Sequence, residues 1–83
     1  MTGNIFGSFS EDMQYVTAIA YDVSNNAIYL GHATPGTLKS EAKWRIKKMT
    51  YDVSNNCTDV QFASGDSKFD KVWNDRATAY TYS

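Results

Sequence analysis

The hexapeptide Tyr21-Asp22-Val23-Ser24-Asn25-Asn26 returns unchanged as Tyr51-Asp52-Val53-Ser54-Asn55-Asn56, thirty positions further along a chain of 83 residues. A chain this short that repeats a turn-forming segment is confined to folds made from two copies of one local unit. The unit is a β-hairpin. Asp, Ser and Asn hydrogen-bond their own backbone, and Asn tolerates the positive φ that closes a tight turn.

The flanking residues supply the strands. Residues 13 to 22 are rich in β-branched and aromatic types, with Tyr15, Thr17, Ile19 and Tyr21 on one face and Val16, Ala18 and Ala20 on the other, which predicts a strand covered on both sides. Ala27 to His32 form the second strand, with Ile28 and Leu30 to one side. Trp44 to Asp52 form the third, whose Arg45, Lys47 and Lys48 make one face wet. Cys57 to Ala63 form the fourth, with Val60 and Phe62 pointing inward and Asp59 and Gln61 outward. The thirty-residue offset aligns Val16 with Ile46, Ile19 with Met49, Ala27 with Cys57 and Leu30 with Val60, so apolar positions match across copies spanning 15–34 and 45–64.

Between the copies, Thr34-Pro35-Gly36-Thr37 predicts a type II turn, since Pro presets φ and Gly supplies the positive value. One helical turn is expected over Leu38 to Lys43. After the fourth strand, Ser64-Gly65-Asp66-Ser67 breaks the sheet and offers an N-cap, and Phe69, Val72, Trp73 and Ala77 fall at helical spacing, predicting a short helix from Lys68 to Asp75. Thr78 to Ser83 alternates like a closing fifth strand. The expected fold is mainly β: two repeated β-hairpins plus a C-terminal short helix and closing strand, in a small sandwich or barrel-like single domain over 13–83, preceded by an N-terminal arm over 1–12 that carries Ile5, Phe6 and Phe9.

Composition narrows the function. A domain of this size buries only roughly 60 to 65% of its unfolded surface, so its core is thin, and aromatic residues at 14% of the chain compensate through the area each one buries. A net charge of -1 gives no global field for nucleic acid or an anionic membrane. A lone cysteine makes no internal disulfide, which fits folding in a reducing compartment. The opening residues carry no secretion signal and no stretch is long enough to span a bilayer, so a soluble protein is expected and the Asn56-Cys57-Thr58 sequon is without meaning.

Candidate chemistry is sparse, and no catalytic residue, metal or cofactor is expected. His32 and Cys57 are the only residues of their kinds. Cys57 stands where the first copy has Ala27, as a small buried hydrophobe would, and His32 reads as a partly exposed or hydrogen-bonded residue near a strand end. Asp22-x-Ser24-x-Asn26 and its copy open like a calcium loop, but Ala27 and Cys57 stand where that loop needs Gly, and Ala33 and Ala63 where it needs Glu. Asp66, Asp70 and Asp75 read as a cap and as solvated or paired partners of Lys71 or Arg76. Aromatic residues concentrate binding energy at interfaces, so Ile5, Phe6, Phe9, Tyr80 and Tyr82 are the expected protein-interface residues. The run Trp44-Arg45-Ile46-Lys47-Lys48 is the alternative site: Trp44 would stack on a base while Arg45, Lys47 and Lys48 contact phosphates. Trp44 and Trp73 read equally as core.

The pattern Tyr29-x-Gly31-x-Ala33-x-Pro35-Gly36-Thr37, Ser40, Trp44-Arg45-Ile46-x-Lys48, Gly65-Asp66 and Phe69-Asp70-x-Val72-Trp73-x-Asp75-Arg76-Ala77 resembles small virion-associated or accessory proteins of tailed bacteriophages and prophages. It covers roughly residues 28 to 83 and leaves residues 1 to 27 outside. The resemblance implies a structural part of a particle, made in the host cytoplasm, whose partners are other virion proteins or further copies of itself in a homo-oligomer or symmetric assembly. The resemblance names no activity, and neither enzyme activity nor a membrane partner is expected. The alternative is a small phage module that grips nucleic acid or a host target through the basic and aromatic strand.

Overall fold

The computed structural model describes residues 15–83; the expected arm, with Ile5, Phe6 and Phe9, lies outside them. The described chain is mainly β. Strands β1 (Val16–Tyr21), β2 (Ala27–Ala33), β3 (Ala42–Tyr51) and β4 (Cys57–Phe62) form an antiparallel meander in the order β1-β2-β3-β4. A two-residue strand β5 (Lys71–Val72) pairs with the start of β3, and a 3-10 turn (Trp73–Asp75) follows it directly. The sheet is open: β1 and β4 are not paired with each other, so no barrel closes among the described residues.

The repeated hexapeptide builds the same turn twice. Asp22 N–H donates to the Asn26 carbonyl at 2.9 Å, Asn25 N–H donates to the Asp22 carbonyl, and the Asp22 carboxylate accepts from the backbone of Ser24 and Asn26. Asp52 makes the matching set. Asn25 and Asn55 sit at φ 64 and 65, in the left-handed region where Asn is better tolerated than most residues. The register is copied too. Ile19 faces Leu30 as Met49 faces Val60, and in both hairpins the pairing skips one residue just before the turn, stepping from Ala20/Tyr29 to Tyr21/Ala27 and from Thr50/Asp59 to Tyr51/Cys57.

The two faces of the sheet differ in kind. One row runs Ala18, Gly31, Ile46 and, through the Ala63 N–H bond to the Ile46 carbonyl, Ala63. These are among the most buried positions of the chain. The small Ala18, Gly31 and Ala63 in this row leave space that the indoles of Trp44 and Trp73 fill, their rings 5.9 Å apart. Residues 71–83 then fold over this face, where Tyr80 and Tyr82 pack against the core. The opposite row runs Ile19, Leu30, Lys47 and Phe62. It stays open: Ile19 is 46% and Val60 56% exposed.

That asymmetry corrects four expectations. The first strand is covered on one side only, because Ala18 rather than Ile19 faces the tryptophans. On β4, Val60 and Phe62 point to the open side and Gln61 faces the covered one, since Ala63 is the residue that enters the core. The helix expected over 68–75 shortens to the 3-10 turn Trp73–Asp75: the full helix would have set Phe69 and Trp73 on one face at i, i+4 spacing, whereas Phe69 stacks on Tyr15 at 5.2 Å on the open side and Trp73 is buried on the other. Lys71 and Val72 instead satisfy backbone groups of β3 as β5. The closing strand reduces to one bridge, Ala63 to Tyr82, flanked by reciprocal Phe62 and Ser83 backbone bonds.

The linker between hairpins follows its turn chemistry. Gly36 has φ 91, and Thr37 N–H donates to the Thr34 carbonyl. Leu38 to Glu41 makes a single hydrogen-bonded turn rather than a helical one, because Glu41 accepts the Leu38 N–H at 2.7 Å and β3 begins at Ala42.

Candidate docking face

The open face is built by period-two alternation. On β3, Arg45 and Lys47 point to it while Trp44, Ile46 and Lys48 point to the covered side, so the basic run is divided between two surfaces. The cations lie over rings of their own domain. The Arg45 guanidinium carbon is 4.8 Å from the Phe69 centroid and the Lys47 ammonium 5.7 Å from that of Phe62. Lys48 lies over Tyr29 and Tyr82 on the far side, each at 5.9 Å. Such contacts hold long side chains flat on the sheet at about 0.5 to 1 kcal/mol each where exposed.

The first described residue belongs to the same face. The Tyr15 ring stacks on Phe69 and meets His32 edge-on at 6.3 Å. Arg45 sits over the other member of that stack. The result is an apolar surface with two cations, running from Tyr15 to Val60. No ion pair is formed by Arg45 or Lys47 among the described residues.

Trp44 is corrected as a base-stacking residue. It is 2% exposed, and its indole N–H donates to the Leu38 carbonyl at 3.0 Å, so no ring face is open to a nucleotide. Tyr80 and Tyr82 are half-buried in their own domain. The Tyr80 hydroxyl accepts the Val72 N–H at 2.7 Å, and the Tyr82 hydroxyl donates to the Arg76 carbonyl at 2.8 Å. Burial pushes the Tyr82 phenol up to about 12. Both tyrosines act first as straps that hold residues 71–83 over the core.

Cys57 is exposed, not buried, because the pairing step beside the turn carries it past the end of the covered row. Its sulfur contacts the Asp59 carbonyl at 3.6 Å. His32 faces Arg45 and Cys57 faces Tyr51, six residues apart along β3, which separates them by about 20 Å at the usual strand rise. They form no catalytic pair.

Two members of the acidic set, Asp66 and Asp70, share one partner, Lys71. The Lys71 side chain is 6% exposed and donates to Asp66 at 2.8 Å and to Asp70. Burial pulls its ammonium down, but hydrogen bonds and charge from the two carboxylates outweigh that and leave its pKa raised. Asp66 is held below the ordinary carboxylate range, first by the Lys71 bond and then by the Lys68 N–H. Asp52 is lowered chiefly by the Asn56 backbone bond. Nothing in the spacing of Lys71 marked it for burial; its pairing with β3 at Trp44 decides that.

Among the described residues no three His, Cys, Asp or Glu side chains converge for a metal, no helix is long and apolar enough to cross a membrane, and no pocket is found. The candidate surface is therefore the flat one. Compared with family models, curated proteins and solved structures, the chain finds no match.

Proposed function

We propose that this protein is a structural, non-enzymatic component of a tailed-phage particle, a decoration, neck, tail or fibre-associated part that acts by protein–protein assembly. One observation carries the assembly reading: an open sheet face with Ile19 and Val60 about half exposed, lined with cations that have no anionic partner among the described residues. A sheet with one covered face normally turns polar residues outward on the other. This one keeps Ile19, Leu30, Val60 and Phe62 on its open side beside Arg45 and Lys47, and such a surface is relieved by a partner. The phage setting draws support from the pattern over residues 28 to 83 described above. Partners are then other virion proteins or further copies of the chain, and the protein resides in the particle after synthesis in the host cytoplasm.

The test is quantitative mass spectrometry of density-purified tailed-phage particles from the source of the chain. A fixed whole-number copy count per particle is expected, and its absence from particles would end the reading. Tight binding of single-stranded DNA that weakens steeply with salt, and is lost when Arg45 and Lys47 become Ala, would replace it with a nucleic-acid function.

A further inference from the structure

We propose that the open face receives residues 1–14 of a neighbouring copy of this chain, so that the protein assembles by exchanging its N-terminal segments; this rests on the assembly reading and names its partner. The acceptor is the row Ile19, Leu30, Lys47 and Phe62, together with Val60 and Arg45. Its apolar part is half exposed. Among the described residues Arg45 and Lys47 form no ion pair, and the Arg45 Nε is shielded from solvent with no hydrogen-bond partner.

The occupant is chosen by complementarity and by where the chain enters the sheet. Residues 1–14 contain Ile5, Phe6 and Phe9, then Glu11 and Asp12, and no Lys or Arg. That is an apolar stretch followed by two anions, against an acceptor that combines Ile19, Leu30, Val60 and Phe62 with the cations Arg45 and Lys47. The described chain begins at Tyr15, whose ring already lies on this face against Phe69, so the segment departs from the rim of the surface it would cover. Fourteen residues reach up to about 46 Å when extended, far more than the roughly 14 Å across four strands.

A neighbour's segment fits better than the chain's own. Ile19 lies four residues into β1 from Tyr15, about 13 Å in the direction away from the preceding chain. The chain's own segment reaches the row only by doubling back over β1, whereas a segment from a second copy needs no reversal. The contact area also adds to a thin core: among the described residues the larger apolar side chains that are buried are Trp44, Ile46 and Trp73, and oligomerisation is a common support for small domains.

Complementation between full-length variants tests this. Phe6→Asp with Phe9→Asp spoils the donor and leaves the face intact; Ile19→Asp spoils the face and leaves the donor intact, with Val60→Asp as its replacement if circular dichroism shows the first unfolded. Sedimentation velocity should give an assembled species for the parent and the 9.3 kDa monomer for each variant alone. An equimolar mixture of the two should restore a species of twice that mass, because one intact donor meets one intact face. A monomeric parent, variants that still assemble, or a mixture that stays monomeric would each overturn segment exchange. If only the face variant abolishes assembly, the face is an interface for something other than residues 1–14, and the inference fails while the assembly reading stands. If exchange is seen but the chain is missing from particles, the inference stands and the phage reading fails.

Discussion

Gly31 is the position where one added methyl group should be most destructive. It lies in β2 beneath the paired indoles, and a Cβ there would meet Trp73 Cε3 at 2.5 Å, Trp73 Cζ3 at 2.7 Å and Trp44 Cε3 at 3.1 Å. Carbon atoms pack at about 3.5 to 4.0 Å, so the Trp73 ring must retreat by about 1 Å. It has little freedom to do so. Trp44 is pinned by its bond to the Leu38 carbonyl, and Trp73 is covered by the Arg76 guanidinium at 4.7 Å from its ring. Overpacking a tight core costs about 1 to 3 kcal/mol, and two rings in conflict place Gly31→Ala near the upper end. Against this, Ala is better than Gly inside a strand by about 0.5 to 1 kcal/mol. The net is about 2 kcal/mol, or roughly 8 to 16 °C in Tm for a domain of this size. Thermal unfolding followed by near-ultraviolet circular dichroism and tryptophan fluorescence reads it. A double-mutant cycle supplies the control: in a Trp73→Leu background the clashing ring is gone, and Gly31→Ala should become neutral or mildly stabilising. A Tm within 2 °C of the parent, or an equal loss in both backgrounds, would refute the packing argument.

The duplicated turns should respond in parallel. Asn25→Ala and Asn55→Ala force Ala into the left-handed region and should each cost about 1 to 2 kcal/mol in urea unfolding, while the Gly variants stay near the parent. The Asn55 side chain also accepts a bond from the Asn26 amide at 3.0 Å, so its Ala variant should lose slightly more; a loss at only one of the two sites would contradict the shared geometry. Around Lys71, replacing Asp66 and Asp70 together with Asn leaves a buried ammonium without countercharge, so it should lower Tm more than Lys71→Met, which removes the charge itself; the reverse order would argue against burial of that lysine. Lys71 and Tyr82 both have raised pKa values in the folded chain. Their stabilising contributions are therefore complete below about pH 10, the ordinary range of these groups, and fade as pH rises through the folded values, about 12 for Tyr82. Stability measured by denaturant midpoint should fall across that window. The phenolate absorbance that disappears in Tyr82→Phe should be the portion titrating latest.

How much of this was readable in advance varies with the range of the interaction involved. The turns at Asp22 to Asn26 and Asp52 to Asn56 were legible because their bonds close within five residues. So was the type II turn at Gly36. The strand count and the copied register follow from those turns. The open face departs from expectation at Val60 and Phe62, because period-two alternation separates two faces without saying which one is covered, and at Ile19, because β1 is covered on one side only. Helical spacing at Phe69 and Trp73 was equally misleading, since two residues four apart ended on opposite faces of the sheet. Trp44 illustrates the same limit at the candidate site: neighbours in the sequence made it part of a basic patch, and its indole bond to the Leu38 carbonyl makes it core.

Local chemistry in the chain thus determined that there would be two identical hairpins, since Asx hydrogen bonds and a left-handed Asn need no distant partner. Which side of the sheet would be covered was a tertiary decision. It was made by residues 71–83 bringing a second tryptophan over a row of Ala and Gly, because two indoles bury more area on small neighbours than on a row already filled by Ile, Leu and Phe. That choice left the bulkier row facing outward, and with it the surface on which the proposed assembly rests.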